Sequence, residues 1–101
     1  MEMNNMGKTI SMKEFNELYE KTDDVNIIDV REDFEFKTGH IPGAKSLPLS
    51  KFPTKLEKGE TYYVICQGGG RSAMACQHLS RAGYDVWDVT EGMSAWRGEL
   101  E

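Results

Sequence analysis

No part of this 101-residue chain narrows its fold more than the run Thr61-Tyr62-Tyr63-Val64-Ile65-Cys66 and the glycine-rich segment after it. Aromatic and β-branched residues dominate those six positions, the composition of a buried strand. Gln67-Gly68-Gly69-Gly70 then continues no regular element. From Ser72 to Ala82, helical spacing puts Ala75, Cys76, Leu79 and Ala82 on one side, and Gly83 stands where a left-handed residue caps a helix. A strand that turns directly into a helix needs neighbouring strands running parallel to it, with helices covering the sheet.

The rest of the chain supplies those neighbours. Lys8 to Ile10 reads as a short strand. Ser11 and Glu14 have the capping-box spacing at a helix start, and Met12, Phe15, Leu18 and Tyr19 share one face. Val25 to Val30 is a buried strand with Asp29 near its carboxyl end. A helical turn over 32–37, a strand over 44–47, a short helix and turn over 50–58, a last strand over 84–89 and a last helix over 91–100 complete the expectation. The fold class is α/β, a central, mainly parallel sheet with helices on both faces. Residues 1–7 are expected to be a loose tail, and 8–101 one domain.

Composition removes several functions. Twelve basic against 17 acidic residues give a net charge of −5, which offers no basic footprint for nucleic acid or an anionic membrane. No apolar run is long enough to span a bilayer, and the first residues do not resemble an export signal. A cytoplasmic location is therefore expected, with both cysteines, Cys66 and Cys76, as reduced thiols. Neither sits in a Cys-x-x-Cys pair, and neither His40 nor His78 has metal-ligand spacing to another ligand. No metal or organic cofactor is expected.

The chemistry concentrates in Cys66-Gln67-Gly68-Gly69-Gly70-Arg71-Ser72. Cys66 ends a strand on the side of the sheet where open α/β folds bind ligands. The glycines let backbone N–H groups converge on one point, the helix start adds further donors and partial positive charge, and Arg71 adds a permanent cation. These features favour the thiolate over the thiol, the state in which a cysteine is a nucleophile. Cys76, on the core side of the helix, is expected to be packing, since the reach from Cys66 is awkward for a disulfide. Trp87 and Trp96 are expected to pack at the core or edge.

Cys66-x-x-Gly69-x-Arg71-Ser72 resembles the active-site loop of the rhodanese-like (sulfurtransferase) domain family. Ile28-Asp29-Val30-Arg31-Glu32, Gly39-His40-Ile41-Pro42-Gly43-Ala44 and Glu91-Gly92-Met93-Ser94-Ala95-Trp96 agree with that family in the same order. The resemblance implies that Cys66 takes a sulfane sulfur as a persulfide and passes it to a thiol or protein acceptor. It implies that residues 67–72 surround that persulfide, that Arg71 organises the loop and supplies field, and that Asp29 and Arg31 form a supporting pair beneath it. A strand-end salt bridge serves equally well as the role of that pair. Four residues separate Cys66 from Arg71, one fewer than in related phosphatases, so sulfur transfer is favoured over a small phosphatase or arsenate reductase. A non-catalytic rhodanese-like binding module is the other alternative, against which the intact Cys66 and Arg71 count. With Gln67, Gly68 and Gly70 where thiosulfate-using members often carry basic side chains, persulfide or polysulfide donors are favoured over thiosulfate. Glu91 departs from the family's Gly-Gly-Met and is expected to make a small change in the turn.

Overall fold

The computed structural model describes residues 8–101, so the tail expected over 1–7 lies outside the described residues. Five strands, β1 (Thr9–Ile10), β2 (Asn26–Asp29), β3 (Lys45–Ser46), β4 (Thr61–Ile65) and β5 (Asp85–Val89), form one sheet in the order β1-β5-β4-β2-β3. Every adjacent pair is parallel, so the chain must cross over the sheet between partners. The central strand is β4, with Val64 opposite Ile28 on one side and Asp88 on the other.

Alternation along the strands divides the core between the two faces. Ile28, Tyr62, Val64 and Val86 pack with Ala75, Cys76 and Leu79 of helix α3 (Gly70–Arg81). Ile27, Ile65 and Val89 point the other way, onto Met12 and Phe15 of helix α1 (Met12–Lys21), with Ile41 and Trp96. Phe15 has no exposed surface, a burial that contributes about 2 kcal/mol or more. Trp96 is part of this core, edge-on to the Tyr19 ring with centroids 5.4 Å apart.

Local signals account for the helix ends. Ser11 Oγ accepts from Glu14 N at 3.1 Å, and the Glu14 carboxylate accepts from Ser11 N at 3.2 Å, closing the expected capping box. Gly83, at φ +94°, ends α3, with Tyr84 N donating to Leu79 O and Gly83 N to Ser80 O. Helix α2 (Asp33–Lys37) is the expected turn after β2.

Three boundaries differ from expectation. Helix α3 starts at Gly70 rather than Ser72, and Ala82 lies exposed beyond its last buried residue. In the 50–58 stretch the only helical residues are the end of one 3-10 turn, Leu49–Lys51; Pro53 has no N–H to continue it. Residues 91–100 likewise hold only the 3-10 turn Gly92–Ala95, which ends where Trp96 turns extended at ψ 128° with its N–H donating to Met93 O. Among the described residues, no helix is long and apolar enough to cross a membrane.

Candidate active site

Cys66 comes directly after the last residue of β4 and is 1% exposed, its sulfur enclosed by the loop that leads into α3. Gly69 makes the turn. Its φ of +109° belongs to glycine, and a Cβ there would lie 2.3 Å from the Thr90 carbonyl oxygen. That turn aims the Gly69 N–H at the sulfur, donating to Cys66 Sγ at 3.0 Å. Gly68 and Gly70 are different: neither has positive φ, and a Cβ on either meets nothing within 4 Å. The expected convergence of several amides is therefore narrower, with Gly69's the loop amide that donates to Sγ among the described residues.

Carbonyls of the loop are held outward from behind. Met93 N donates to Cys66 O at 2.8 Å and Ser94 N to Gln67 O at 3.0 Å. Gly92, at φ +63°, permits this approach, since a Cβ there would lie 2.4 Å from Cys66 O. Glu91 does more than adjust the turn: its Oε1 accepts from Met12 N at 2.6 Å, capping the free end of α1.

Arg71 organises the loop by a route the sequence did not reveal. It pairs with Glu35 of α2, Nη1 to Oε1 at 2.6 Å and Nη2 to Oε2 at 2.9 Å. Those hydrogen bonds hold the Glu35 carboxyl down at about 2 and raise Arg71. The cation is compensated, so Arg71 does not act as the unopposed field source expected of it. Glu35 also accepts from Glu32 N at 3.0 Å, and that local capping spacing was the one available signal for it.

Asp29 and Arg31 are 0% and 3% exposed and paired: Arg31 Nε lies 3.0 Å from Oδ1, and Nη2 lies 2.9 Å from Oδ2. Arg31 also donates from Nη2 to Gly39 O at 2.9 Å and from Nη1 to Gln67 Oε1 at 3.4 Å. The pair ties the end of β2 to the Gly39 turn and to the loop. It makes no hydrogen bond to Cys66.

Ser72 is fully buried beneath the loop. The Cys66 thiol donates to Ser72 Oγ across 3.5 Å, and Ser72 Oγ donates to Asp88 Oδ1 at 2.6 Å, with Gly69 O a more distant acceptor at 3.1 Å. Asp88, on β5, carries no sequence signal beyond its place in a strand. Cys76 is 3% exposed, and burial pushes its thiol up to about 12, in keeping with packing. His40 stacks on Phe36 with centroids 3.7 Å apart, and its Nδ1 lies 3.0 Å from Phe36 O. Among the described residues, no group of three or more His, Cys, Asp or Glu is placed to hold a metal.

Comparison with known proteins shows the family. A family model described as the rhodanese-like domain matches residues 11–99. The chain is 38% identical over 97 residues to YtwF of Bacillus subtilis, provisionally named a sulfurtransferase, covering 93% of this chain and 94% of that one. It is 32% identical over 93 residues to thiosulfate sulfurtransferase GlpE of Pseudoalteromonas translucida, covering 88% of each. The crystal structure of a rhodanese-like domain protein from Staphylococcus aureus superposes with a TM-score of 0.86 at 40% identity, over 93% of this chain and 96% of that one. The chain belongs to the rhodanese-like domain family.

Proposed function

We propose that the protein is a rhodanese-type sulfurtransferase in which Cys66 carries the sulfur. The observation that supports this most is the seat of the thiol: 1% exposed, with the Gly69 N–H 3.0 Å from Sγ at the start of α3. A donor placed at strand-end sulfur stabilises negative charge there, whether on a thiolate or on a persulfide. Relatives named as sulfurtransferases, one of them provisionally, match 93% and 88% of this chain.

The steps balance without an added oxidant. The Cys66 thiolate attacks the outer sulfur of a donor, forming one S–S bond while the donor's own bond to that sulfur breaks and its remainder leaves with the electron pair. An acceptor thiolate then attacks the outer persulfide sulfur, and Cys66 leaves as thiolate. Persulfide or polysulfide donors fit better than thiosulfate, because the loop's single cation is already paired with Glu35. Two contacts oppose a phosphatase reading: the guanidinium a phosphate would engage is occupied by Glu35, and the Gly69 amide already donates to the sulfur.

Intact mass spectrometry after exposure to a persulfide or polysulfide tests the proposal. A gain of about 32 Da on Cys66, absent from Cys66→Ser, is expected. No adduct from any donor on folded protein would favour a binding module instead, and turnover of a phosphate ester a phosphatase.

A further inference from the structure

The transfer steps use neither buried acid, Asp29 or Asp88, and of these Asp29 already has Arg31 as its partner. Cys66, Ser72 and Asp88 form a line of hydrogen bonds running inward from the sulfur, and they are 1%, 0% and 8% exposed. Among the described residues, the Ser72 hydroxyl is the hydrogen-bond partner of the Asp88 side chain. A carboxylate so placed sits uneasily as an anion, and burial raises Asp88. Three titratable residues lie near it: Cys66, reached through Ser72; Cys76 on α3, whose thiol Asp88 helps to raise; and Lys8, whose carbonyl oxygen accepts from Asp88 N. Lys8 is paired with Asp85, and Cys76 stays a thiol up to about 12. Of the three, Cys66 is the one that a line of hydrogen bonds joins to the Asp88 carboxyl.

A hydroxyl has one proton to give. With Asp88 ionised, Ser72 gives that proton to Oδ1 and offers the sulfur a lone pair, which suits S–H. With Asp88 protonated, the carboxyl donates to Ser72 Oγ, and the hydroxyl turns its proton to the sulfur, which suits the thiolate. We propose that Cys66 and Asp88 hold one proton between them through Ser72, making Asp88 a positioning residue that sets when the Cys66 sulfur carries negative charge. In the exchange the S–H bond breaks, Ser72 Oγ takes that proton and its own passes to Asp88 Oδ1. One negative charge moves from carboxylate to sulfur, and nothing is oxidised or reduced. A buried line with one proton at either end avoids holding two anions at once.

This inference rests on Cys66 as the nucleophile, but its test does not use sulfur transfer. Iodoacetamide reports the thiolate of Cys66 directly, with adducts assigned by mass. In Asp88→Asn the side chain is neutral at every pH, so the competing anion is gone. Alkylation at about pH 6.5 is expected to be roughly tenfold faster than in the wild-type chain, with the difference closing toward about pH 9. A second variant, Asp88→Ser, is expected to shift the profile in the same direction. In a Ser72→Ala background the gain from Asp88→Asn should fall to about twofold, because the connecting hydroxyl is absent. Profiles that coincide with wild type in both Asp88 variants overturn the proposal. So does a gain that survives Ser72→Ala undiminished. If the Asp88 dependence holds while no donor loads sulfur onto Cys66, the shared proton stands and the sulfurtransferase reading falls.

Discussion

The carboxylate of Glu35 and the guanidinium of Arg71 meet through two parallel hydrogen bonds, 2.6 and 2.9 Å long, joining α2 to the first turn of α3. Such a fork fixes direction as well as distance, so the residue that closes the loop is held by an element 36 positions away in sequence. It also cancels the loop's one positive charge.

Removing that compensation in Glu35→Gln is expected to lower KM for thiosulfate roughly threefold or more, with kcat little changed, because the freed cation attracts the dianion. The stability lost is about 1 kcal/mol at most, since the Arg71 side chain is 36% exposed. The pair holds the Glu35 carboxyl at about 2 against an ordinary 4.5. Its contribution is therefore complete above the ordinary value and disappears as pH falls toward 2. Melting curves of the two proteins should converge over that interval; a constant offset down to the lowest pH would show that Glu35 acts by packing.

Gly68 offers a complementary test. It has open space around it and no positive φ, so Gly68→Lys should fold normally and add a cation at the mouth of the loop. Thiosulfate turnover at low substrate is expected to rise severalfold, while turnover of an uncharged polysulfide stays level. Equal change for both donors would rule out an electrostatic origin.

Two glycines apart by one position should behave oppositely. Gly69→Ala forces a side chain into φ +109° and a carbonyl at 2.3 Å, and is expected to remove about 2–4 kcal/mol, or roughly 10 °C or more of Tm. Gly68→Ala should stay within about 0.5 kcal/mol of wild type. Thermal melts of the pair decide it.

Cys76 gives a simple chemical prediction. With its thiol held up at about 12, only about one molecule in ten thousand has that thiolate at pH 8. Native protein should take one iodoacetamide adduct, on Cys66, and a second only after unfolding. Comparable labelling of both thiols in folded protein would reopen a resolving role for Cys76.

Arg31→Met leaves the carboxylate of Asp29 buried without its partner and is expected to remove about 3–5 kcal/mol. Adding Asp29→Asn should restore much of that loss. A double variant no more stable than the single one would place the value of Arg31 in its contacts to Gly39 and Gln67.

What the sequence made legible was local. The Ser11–Glu14 box, the β4 strand and the Gly83 cap each depend on residues within a few positions of one another, so spacing alone reveals them. Cys66, Gly69, Arg71 and Ser72 were legible for the same reason, as one strand–loop–helix. Glu35 and Asp88 were not. Each meets its partner across 36 or 16 positions, through a topology that periodicity does not encode. The two shortened helices differ in origin. Pro53 stops one locally; in the other, Trp96 turns extended just after Met93 and Ser94 give their amides to Cys66 and Gln67, a demand written 27 residues earlier in the chain.

That last demand also sets an order in time. The carbonyls of Cys66 and Gln67 find their donors on Met93 and Ser94, so the loop takes its shape only after synthesis has passed residue 94. Until then the carbonyls of Cys66 and Gln67 lack those two donors. The candidate loop, though read off the chain by residue 72, waits for residues 93 and 94 before it can be held in place.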